Sequence, residues 1–544
     1  MLIVIPCVFL FGKAISVHPE PGKGVYNEPF FLMNDYRDYI LPPDSLWGFS
    51  LGSKPAGHDD IITYFEYLDE VFSNAKLYDY GKTYEGRRLV YLVITSVKNF
   101  SRLDTIRNNI SKLSDPRTIN NSSEAKNIIA HTPAISWMSY SIHGDELSGA
   151  DAGVQLAFQL LAGTDSYSKL IRDSLVVCID PLQNPDGRTR FLAQMTQWSG
   201  AMINYDTQSA HHRGNWPQGR GNHYLFDLNR DWFTQVHPES KGKVQAIIDW
   251  HPQLVVDGHE MGPLDTYLFN PPREPYNPFM PELIYKWWKI MSLEHSAAFD
   301  QNGWNYYTRE WNEEFFPGYG SSWSIYTGAV GLLYEQAGVD GSQVIQRDGT
   351  VLTYRETVHH QFISSMANLI TVADNRKDLL RDYYSEKYKS VYIKDMRNID
   401  IFAIKVLEGK SCIYGMFYRN GSNYGNKSFF PIHDINATEY EILESFLFQF
   451  YADKEAPPKV LINLDTKTFN NVEIVLTKKN KQKINIIKPI VGEKQKHIKL
   501  AEKNAIENIK LKKASLESHH AALERLKEFL SLDQIPNRIE VYDN

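Results

Sequence analysis

Residues 134–161 read AISWMSYSIHGDELSGADAGVQLAFQLL, and this stretch sets the expectation for the fold. Its first nine residues are mostly apolar or β-branched and predict a β-strand over Ala134–Ile142, which ends at His143. Leu147–Leu161 then carries apolar residues at helical spacing. A strand followed directly by a helix is the repeating unit of α/β folds.

The same alternation recurs along the chain. Further strands are predicted at Arg88–Ser96, Leu175–Asp180, Leu254–Asp257 and Ala329–Tyr334, and helices at Pro281–Ala298 and Arg355–Leu380. The sequence therefore predicts an α/β fold with a mostly parallel or mixed central sheet flanked by helices.

Polar residues follow the predicted ends of several of these strands. They are His143, the Asn184-Pro185-Asp186-Gly187 turn signal, His259 and Glu335. Open α/β sheets bind ligands at the edge where the carboxyl ends of the strands meet. We therefore expect these side chains to share one site.

His143 and Glu146 form an HxxE pair, a spacing that 17 histidines would produce about once by chance. A third, distant histidine would complete the ligand set of a catalytic zinc, with the fourth position open. His251 and His259 compete for that place. His259 is favoured because it follows a strand, whereas His251 precedes both Pro252 and the strand.

Seven motifs between residues 45 and 388 resemble the M14 family of zinc carboxypeptidases. They are GKTYEGR (81–87), HGDE (143–146), NPDGRTRF (184–191), NHYLFDLNRDW (222–232), VVDGHEMG (255–262), PGYGSSW (317–323) and GAVGLLYEQAG (328–338). The resemblance implies a metallocarboxypeptidase that holds one Zn²⁺ ion and acts on the C-termini of peptides or proteins.

The resemblance also implies individual roles. His143, Glu146 and His259 would bind zinc, and Asp227 would orient the first zinc histidine. Asn229 and Arg230 resemble the pair that grips the terminal carboxylate of the substrate.

Three further roles concern catalysis. Arg220 resembles the arginine that polarises the scissile carbonyl, with Arg213 as the alternative. Glu335 resembles the general base. Tyr319 is the candidate for the tyrosine that caps the substrate, with Tyr326 as the alternative.

The residue that would line the specificity pocket is Ser321. It is neither acidic nor large, so the resemblance does not support a preference for basic residues.

Composition divides the 544-residue chain in two. The net charge of −7 separates into −11 over residues 1–390 and +4 over 391–544, and all 11 tryptophans precede residue 324. We therefore expect a catalytic domain over residues 17–390 and a second unit over 391–544.

The second unit resembles the middle of UvrC, the incision subunit of the bacterial excinuclease. The matching strings are MFYRNGSNYGNKSFFP (416–431), FLFQFYADKEAPPKVLIN (446–463), KPIVGEKQKHIKLAEKNA (488–505) and HAALERLKEFLSLDQIPNRIEVYDN (520–544). The resemblance implies a smaller α+β unit with an incomplete RNase-H-like region. Apolar spacing in His497–Leu530 suits one or two amphipathic helices.

Asp543 resembles the first metal-binding carboxylate of the UvrC nuclease, and the sequence ends one residue later. One carboxylate cannot build a two-metal site, so we expect no nuclease activity. DNA or excinuclease subunits are expected as partners only through this segment.

Residues 1–16 have the character of a short signal peptide that is cut after Ser16. This predicts a periplasmic or secreted protein; if the segment is not a signal peptide, the protein is cytoplasmic. The longest apolar run, Leu2 to Gly12, is too short to span a membrane.

Three hypotheses follow from the whole sequence. The protein is a zinc carboxypeptidase with an inert or accessory tail, or a nucleic-acid repair protein whose name and partners come from residues 391–544. The third hypothesis is that a gene fusion or an assembly accident joined the two parts near residue 390. Sequencing the gene across the codons for residues 380–400 tests the third.

Overall fold

The computed structural model describes residues 26–32, 35–277, 280–391, 398–419 and 422–536. The chain divides into two compact units, Met1–Lys387 and Tyr388–Asn544. The predicted signal peptide and Asp543 lie outside the described residues, so both expectations stay predictions.

A mixed seven-stranded sheet forms the centre of the first unit. The strands of this unit are β1 (Ala75–Lys82), β2 (Arg88–Ile94), β3 (Ala134–Tyr140), β4 (Leu175–Asp180), β5 (Leu254–Met261), β6 (Tyr267–Phe269), β7 (Val330–Ala337), β8 (Gln343–Ile345) and β9 (Val351–Thr353). The order in the large sheet is β1-β2-β4-β3-β5-β7-β6, and β8 pairs with β9 separately. Strands β4, β3, β5 and β7 are mutually parallel, whereas β1, β2 and β6 are antiparallel to their neighbours.

Helices cover this sheet, as the α/β prediction requires. The helices are α1 (Pro43–Trp47), α2 (His58–Val71), α3 (Val97–Phe100), α4 (Leu103–Ser114), α5 (Ser122–His131), α6 (Ser148–Ala162), α7 (Ser166–Ser174), α8 (Pro185–Trp198), α9 (Ala210–Arg213), α10 (Pro238–Trp250), α11 (Glu282–Asn302), α12 (Gly320–Tyr326), α13 (Tyr354–Asp374) and α14 (Arg376–Val391). Every residue of β3 and β7 is buried, which is typical of central parallel strands with both faces covered. The predicted fold class is confirmed.

Helix α6 is the most deeply placed helix of the unit, since each of its residues is buried. Its approach to the sheet depends on two glycines. A Cβ on Gly149 or Gly153 would lie 3.2 or 3.1 Å from the ring of Tyr140, at the end of β3. This close packing fixes the loop between β3 and α6, which carries His143 and Glu146.

The structure corrects three details of the prediction. The helix expected over Arg355–Leu380 ends at Asp374, and a second helix begins at Arg376. His259 and Glu335 lie inside β5 and β7 rather than after them, because these strands remain paired up to Met261 and Ala337.

The third correction concerns the segment that begins at Asn184. It is not an isolated turn but the start of α8, where the Asn184 side chain accepts a hydrogen bond from the backbone N–H of Gly187. Proline follows as the first residue of the helix, where its missing N–H costs nothing.

The second unit contains a five-stranded sheet in the order β12-β11-β10-β13-β14. Its elements are β10 (Asn398–Leu407), β11 (Lys410–Arg419), β12 (Ser422–Phe429), β13 (Lys459–Ile462), β14 (Asn485–Ile487), α15 (Glu439–Phe450), α16 (Asn470–Asn480) and α17 (Glu493–Phe529). The first three strands are antiparallel, and β13 and β14 run parallel to β10. The predicted α+β character is confirmed, and the amphipathic region forms the single long helix α17.

None of the helices in the described ranges combines the length and apolar character that a membrane span needs.

Candidate metal centre

Three side chains of the first unit converge at the carboxyl end of the central strands. His143 and Glu146 come from the loop after β3, and His259 comes from β5. The Nδ1 atom of His143 lies 2.6 Å from Glu146 Oε1 and 3.2 Å from Nδ1 of His259, which lies 2.8 Å from Glu146 Oε2. One ligand atom from each residue lies within 4.8 Å of the others. The three residues could therefore hold one metal ion.

The outward nitrogen of each imidazole faces a carboxylate. Nε2 of His143 lies 3.0 Å from Asp227 Oδ1, and Nε2 of His259 lies 2.9 Å from Asp257 Oδ2. A carboxylate at Nε2 favours the tautomer with the proton on that nitrogen, which leaves the Nδ1 lone pair for a metal. Asp227 thus faces His143, and Asp257 faces His259 in an equivalent way that the sequence analysis missed.

The sequence did contain a signal for Asp257. In a β-strand, residues two apart point to the same face, and Asp257 precedes His259 by two positions in β5. Gly320 then packs against the carboxylate, because a Cβ at this position would lie 2.3 Å from Asp257 Oδ2.

Mutual electrostatic stabilisation dominates the ionisation of this cluster. Burial acts to lower the pKa of His143 and His259, but the neighbouring carboxylates outweigh it and raise both values. Burial acts against the charged form of Glu146 as well, but the two histidines hold the pKa of its carboxyl well below the usual range.

Glu335 lies beside this cluster on the neighbouring strand. Its Cα is paired with that of His259 in the β5–β7 register. The side chain is buried, and this burial, opposed in part by His259, raises the pKa of the carboxyl to about 8. A carboxyl whose pKa lies near neutral pH suits proton transfer.

Arg220 reaches the same centre from the loop between α9 and the short 3-10 helix Leu228–Arg230. Its guanidinium donates from Nε and Nη2 to Asp227 Oδ2, and its Nη1 lies 3.3 Å from Nδ1 of His143. Arg213, the alternative, instead donates to the side chain of Gln208 in the region of α9. The structure brings Arg220 rather than Arg213 to the three converging side chains.

Arg230 and Tyr319 are stacked at the rim of the centre. The guanidinium carbon of Arg230 lies 4.7 Å from the centroid of the Tyr319 ring. Tyr326, the alternative to Tyr319, lies at the opposite end of α12. The stack gathers two of the predicted substrate-binding groups in one place.

Asn229 occupies a more internal position than its predicted role suggests. Its Nδ2 lies 3.2 Å from Nε2 of His259, and its Oδ1 accepts a hydrogen bond from the backbone N–H of Gly320. Both ends of the buried amide thus contact the protein rather than solvent.

Two further predicted positions can be placed. His251 ends helix α10 with a left-handed backbone (φ 48°) and takes no part in the histidine–glutamate cluster.

Ser321 is buried beside Glu314, whose carboxylate accepts a hydrogen bond from Ser322 Oγ. Burial raises the pKa of Glu314, and hydrogen bonds from the nearby serine hydroxyls offset only part of this rise. The sequence analysis missed this buried acid, which lies close to the predicted specificity residue and has no recognisable local motif.

Comparisons with known proteins find a family match in each of two stretches of the chain. Residues 61–272 match the family model described as zinc carboxypeptidase, and residues 398–512 match the UvrC ribonuclease H-like domain. Both resemblances that the motifs indicated are thereby confirmed.

Curated relatives match through the second part. The chain is 32% identical over 212 residues to UvrABC system protein C of Gluconobacter oxydans (strain 621H), which covers 39% of this chain and 33% of that protein. It is 36% identical over 145 residues to the protein of the same name from Maricaulis maris (strain MCS10), covering 27% and 23%. The chain thus spans a third or less of the length of these relatives.

Solved structures with similarity include metallo-carboxypeptidases. One from Burkholderia cenocepacia gives a TM-score of 0.40 at 16% identity and covers 58% of this chain and 70% of its own. Carboxypeptidase A from Helicoverpa armigera gives 0.38 at 17% identity and covers 63% and 80%. By these matches, residues 61–272 are similar to the zinc carboxypeptidase family and residues 398–512 to the UvrC ribonuclease H-like domain.

Proposed function

We propose that the first unit is a zinc-dependent metallocarboxypeptidase that removes C-terminal residues from peptides. The observation that carries the proposal is the convergence of two imidazole Nδ1 atoms and one carboxylate beside Glu335. His143, Glu146 and His259 supply the donors, and Glu335 is paired with His259 across the sheet.

The donor set fits zinc. Two imidazoles and a carboxylate form one of the standard catalytic zinc sites, with a fourth position open to water or substrate. The carboxylates of Asp227 and Asp257 lie at the outer nitrogens, where a catalytic zinc site needs partners for its histidines. Zinc, when bound, would polarise the scissile carbonyl and make a coordinated water more acidic.

Glu335 is the proposed general base. Its carboxylate would accept a proton from the attacking water and pass it to the leaving amine. The group must bind the proton and then release it, a task that suits a carboxylate placed beside the metal ligands. Such a group contributes on the order of 10²–10⁴-fold to the rate.

Two arginines would position the substrate and stabilise the developing charge. Arg220, whose Nη1 lies near His143 and Glu146, would donate to the carbonyl oxygen as it becomes negative. Loss of such a donor costs about 10²–10³-fold in kcat in comparable sites. Arg230, at the rim over Tyr319, would bind the terminal carboxylate and so restrict cleavage to the last peptide bond.

The decisive assay compares matched peptides with a free and an amidated C-terminus, with and without a zinc chelator. We expect release of the last residue from the free peptides only, loss of activity with chelator, and recovery on addition of zinc. The panel should include peptides that end in lysine, phenylalanine and serine. This range tests whether the buried acid Glu314, beside the predicted specificity residue Ser321, affects which side chain is preferred. Equal cleavage of the amidated peptides, or activity that resists metal removal, would refute the proposal.

The UvrC-like match favours DNA binding by the second unit as a second candidate function. The buried Asp400 on β10 is held by Arg419 Nη1 at 2.6 Å and by the Tyr451 hydroxyl at 2.7 Å. Among the described residues of this unit, no three histidine, cysteine or acidic side chains converge as metal ligands. We propose DNA binding, and only that, for this unit. DNA titrations of the full chain at several salt concentrations test this, since phosphate contacts make affinity fall steeply with salt.

A further inference from the structure

The loop 218–222, which carries Arg220, has an unusually well-bonded backbone. Each of its five successive carbonyl oxygens accepts a hydrogen bond from a residue outside the loop. Gly144 N–H donates to the carbonyl of Gly219, and Asn184 Nδ2 donates to that of Arg220. Arg190 binds the three others.

Arg190 places its whole guanidinium against this loop. Its Nε donates to the carbonyl of Gln218 at 2.7 Å, its Nη2 to Gly221 at 2.7 Å and its Nη1 to Asn222 at 3.2 Å. No carboxylate oxygen of the described residues lies within 4.0 Å of its nitrogens. A charged group bonded only to backbone carbonyls on both sides of Arg220 fixes the path of that segment.

Close packing between the loop and the start of α8 leaves little room for an alternative path. A Cβ on Gly187 would lie 2.2 Å from the carbonyl oxygen of Gly219, and one on Gly219 would lie 2.7 Å from Cβ of Phe191. The backbone of the loop is thus pressed against the start of α8 while Arg190, from the same helix, holds its ends.

We propose that Arg190 is a positioning residue for Arg220. Its hydrogen bonds go to backbone carbonyls rather than to the metal ligands, and it acts by holding the backbone from which Arg220 extends. The inference rests on the proposed peptidase function for its kinetic consequence, but the claim about the loop stands on the hydrogen bonds alone. A displacement of about 1 Å in a group that contacts the reacting atoms is enough to cost around 10²-fold in rate.

The chain offers a matched control. Arg376 also donates to three backbone carbonyls, those of Ile129, Ala130 and Thr132, in a region that carries no predicted site residue. Arg376→Ala and Arg190→Ala therefore remove comparable numbers of hydrogen bonds, but only the second removes them from the Arg220 loop.

The first measurement is backbone amide hydrogen exchange in the zinc-free full chain. We expect Arg190→Ala to accelerate exchange in peptides that cover residues 218–222 by about 10-fold or more, the factor that corresponds to losing one or two net hydrogen bonds. Arg376→Ala should leave that segment unchanged. Unaltered exchange in the loop of the Arg190 variant overturns the proposal, whether or not the protein is a peptidase.

The second measurement is a kinetic cycle with Arg190→Ala, Arg220→Ala and the double variant. We expect Arg190→Ala to lower kcat by about 10–100-fold with little change in KM, and to have no further effect once Arg220 is absent. Added guanidinium ion should restore part of the kcat of Arg190→Ala but none in the double variant. Additive losses in the cycle would show that Arg190 does not act through Arg220.

Arg190→Lys guards against a folding defect in the alanine variant. It keeps the charge but loses the planar fork that spans three carbonyls, so we expect an intermediate kcat. Full activity of Arg190→Lys together with unchanged loop exchange would contradict the proposal. An inactive wild-type enzyme would refute the proposed function instead, and leave the exchange experiment to decide the role of Arg190.

Discussion

Asp257 Oδ2 lies 2.9 Å from Nε2 of His259, in the same strand and two positions before it. Burial acts against the charged form of Asp257, but the adjacent imidazole outweighs this and lowers the pKa of the carboxyl. The carboxylate thus remains ionised and can hold the His259 ring with Nδ1 directed at the proposed metal.

Asp257→Asn should therefore weaken zinc binding. Loss of such an outer partner typically lowers metal affinity by about 10–100-fold, because the ligand becomes less basic and its ring less constrained. Competition with a chromophoric chelator measures the dissociation constant directly. Asp249→Asn, on the exposed surface of α10, is the matched control and should bind zinc as the wild type does. Equal affinity in the Asp257 variant would show that this carboxylate does not support the ligand.

A second prediction separates the two candidate histidines. His259→Ala should abolish stoichiometric zinc binding, because it removes one of the three donors that converge with Glu146. His251→Ala should retain its zinc, since His251 ends helix α10 away from the cluster. Metal analysis after gel filtration in metal-free buffer gives the comparison. The reverse pattern would exchange the two assignments.

The general base can be tested without disturbing the metal. Glu335→Gln removes the proton acceptor but keeps the size of a side chain that is not among the three converging ligands. We expect peptidase activity to fall by about 10²–10⁴-fold while zinc content stays at the wild-type level. Substantial turnover by a zinc-loaded Glu335→Gln protein would mean that another group accepts the proton.

Much of the fold followed from local patterns. The quoted stretch around His143 forms a strand and a helix as predicted, because apolar periodicity is set by burial within each element. The predicted end of β5 at Asp257 was too early, since the apolar run stops there while strand pairing continues to Met261. The polar residues at the end of β5 can stay in a buried strand because they have partners inside the fold. The amino-acid composition of the strand does not reveal those partners.

The site was less predictable where it depends on contacts between distant segments. Arg190 belongs to a quoted motif, but its importance comes from a loop that starts 28 residues later. Glu314 lies in no motif, and its burial beside Ser322 arises only from tertiary packing. Asp257 could have been found from strand geometry, because its alternation with His259 is visible in the sequence.

Acid sensitivity is expected from two buried histidines away from the metal cluster. Burial lowers the pKa of His295 to about 3, and burial together with Arg355 lowers that of His359 to about 3. An unfolded histidine binds a proton below pH about 6.5. Between pH about 6.5 and 3 the unfolded state therefore binds more protons than the folded state, and stability falls as the pH is lowered.

Each such group contributes a slope of up to about 1.4 kcal/mol per pH unit in this window. His295→Phe should reduce the slope by nearly that amount, because it removes the titrating group. A phenyl ring suits the position, since the imidazole already stacks on Phe269 with centroids 3.9 Å apart. The variant also loses the hydrogen bond between Nε2 and Ser364 Oγ, so its stability at neutral pH should fall. Urea unfolding at several pH values between 7 and 4.5 separates these two effects. The exposed His131→Gln is the control and should keep the wild-type slope; an unchanged slope in His295→Phe would mean that His295 is protonated in the folded protein.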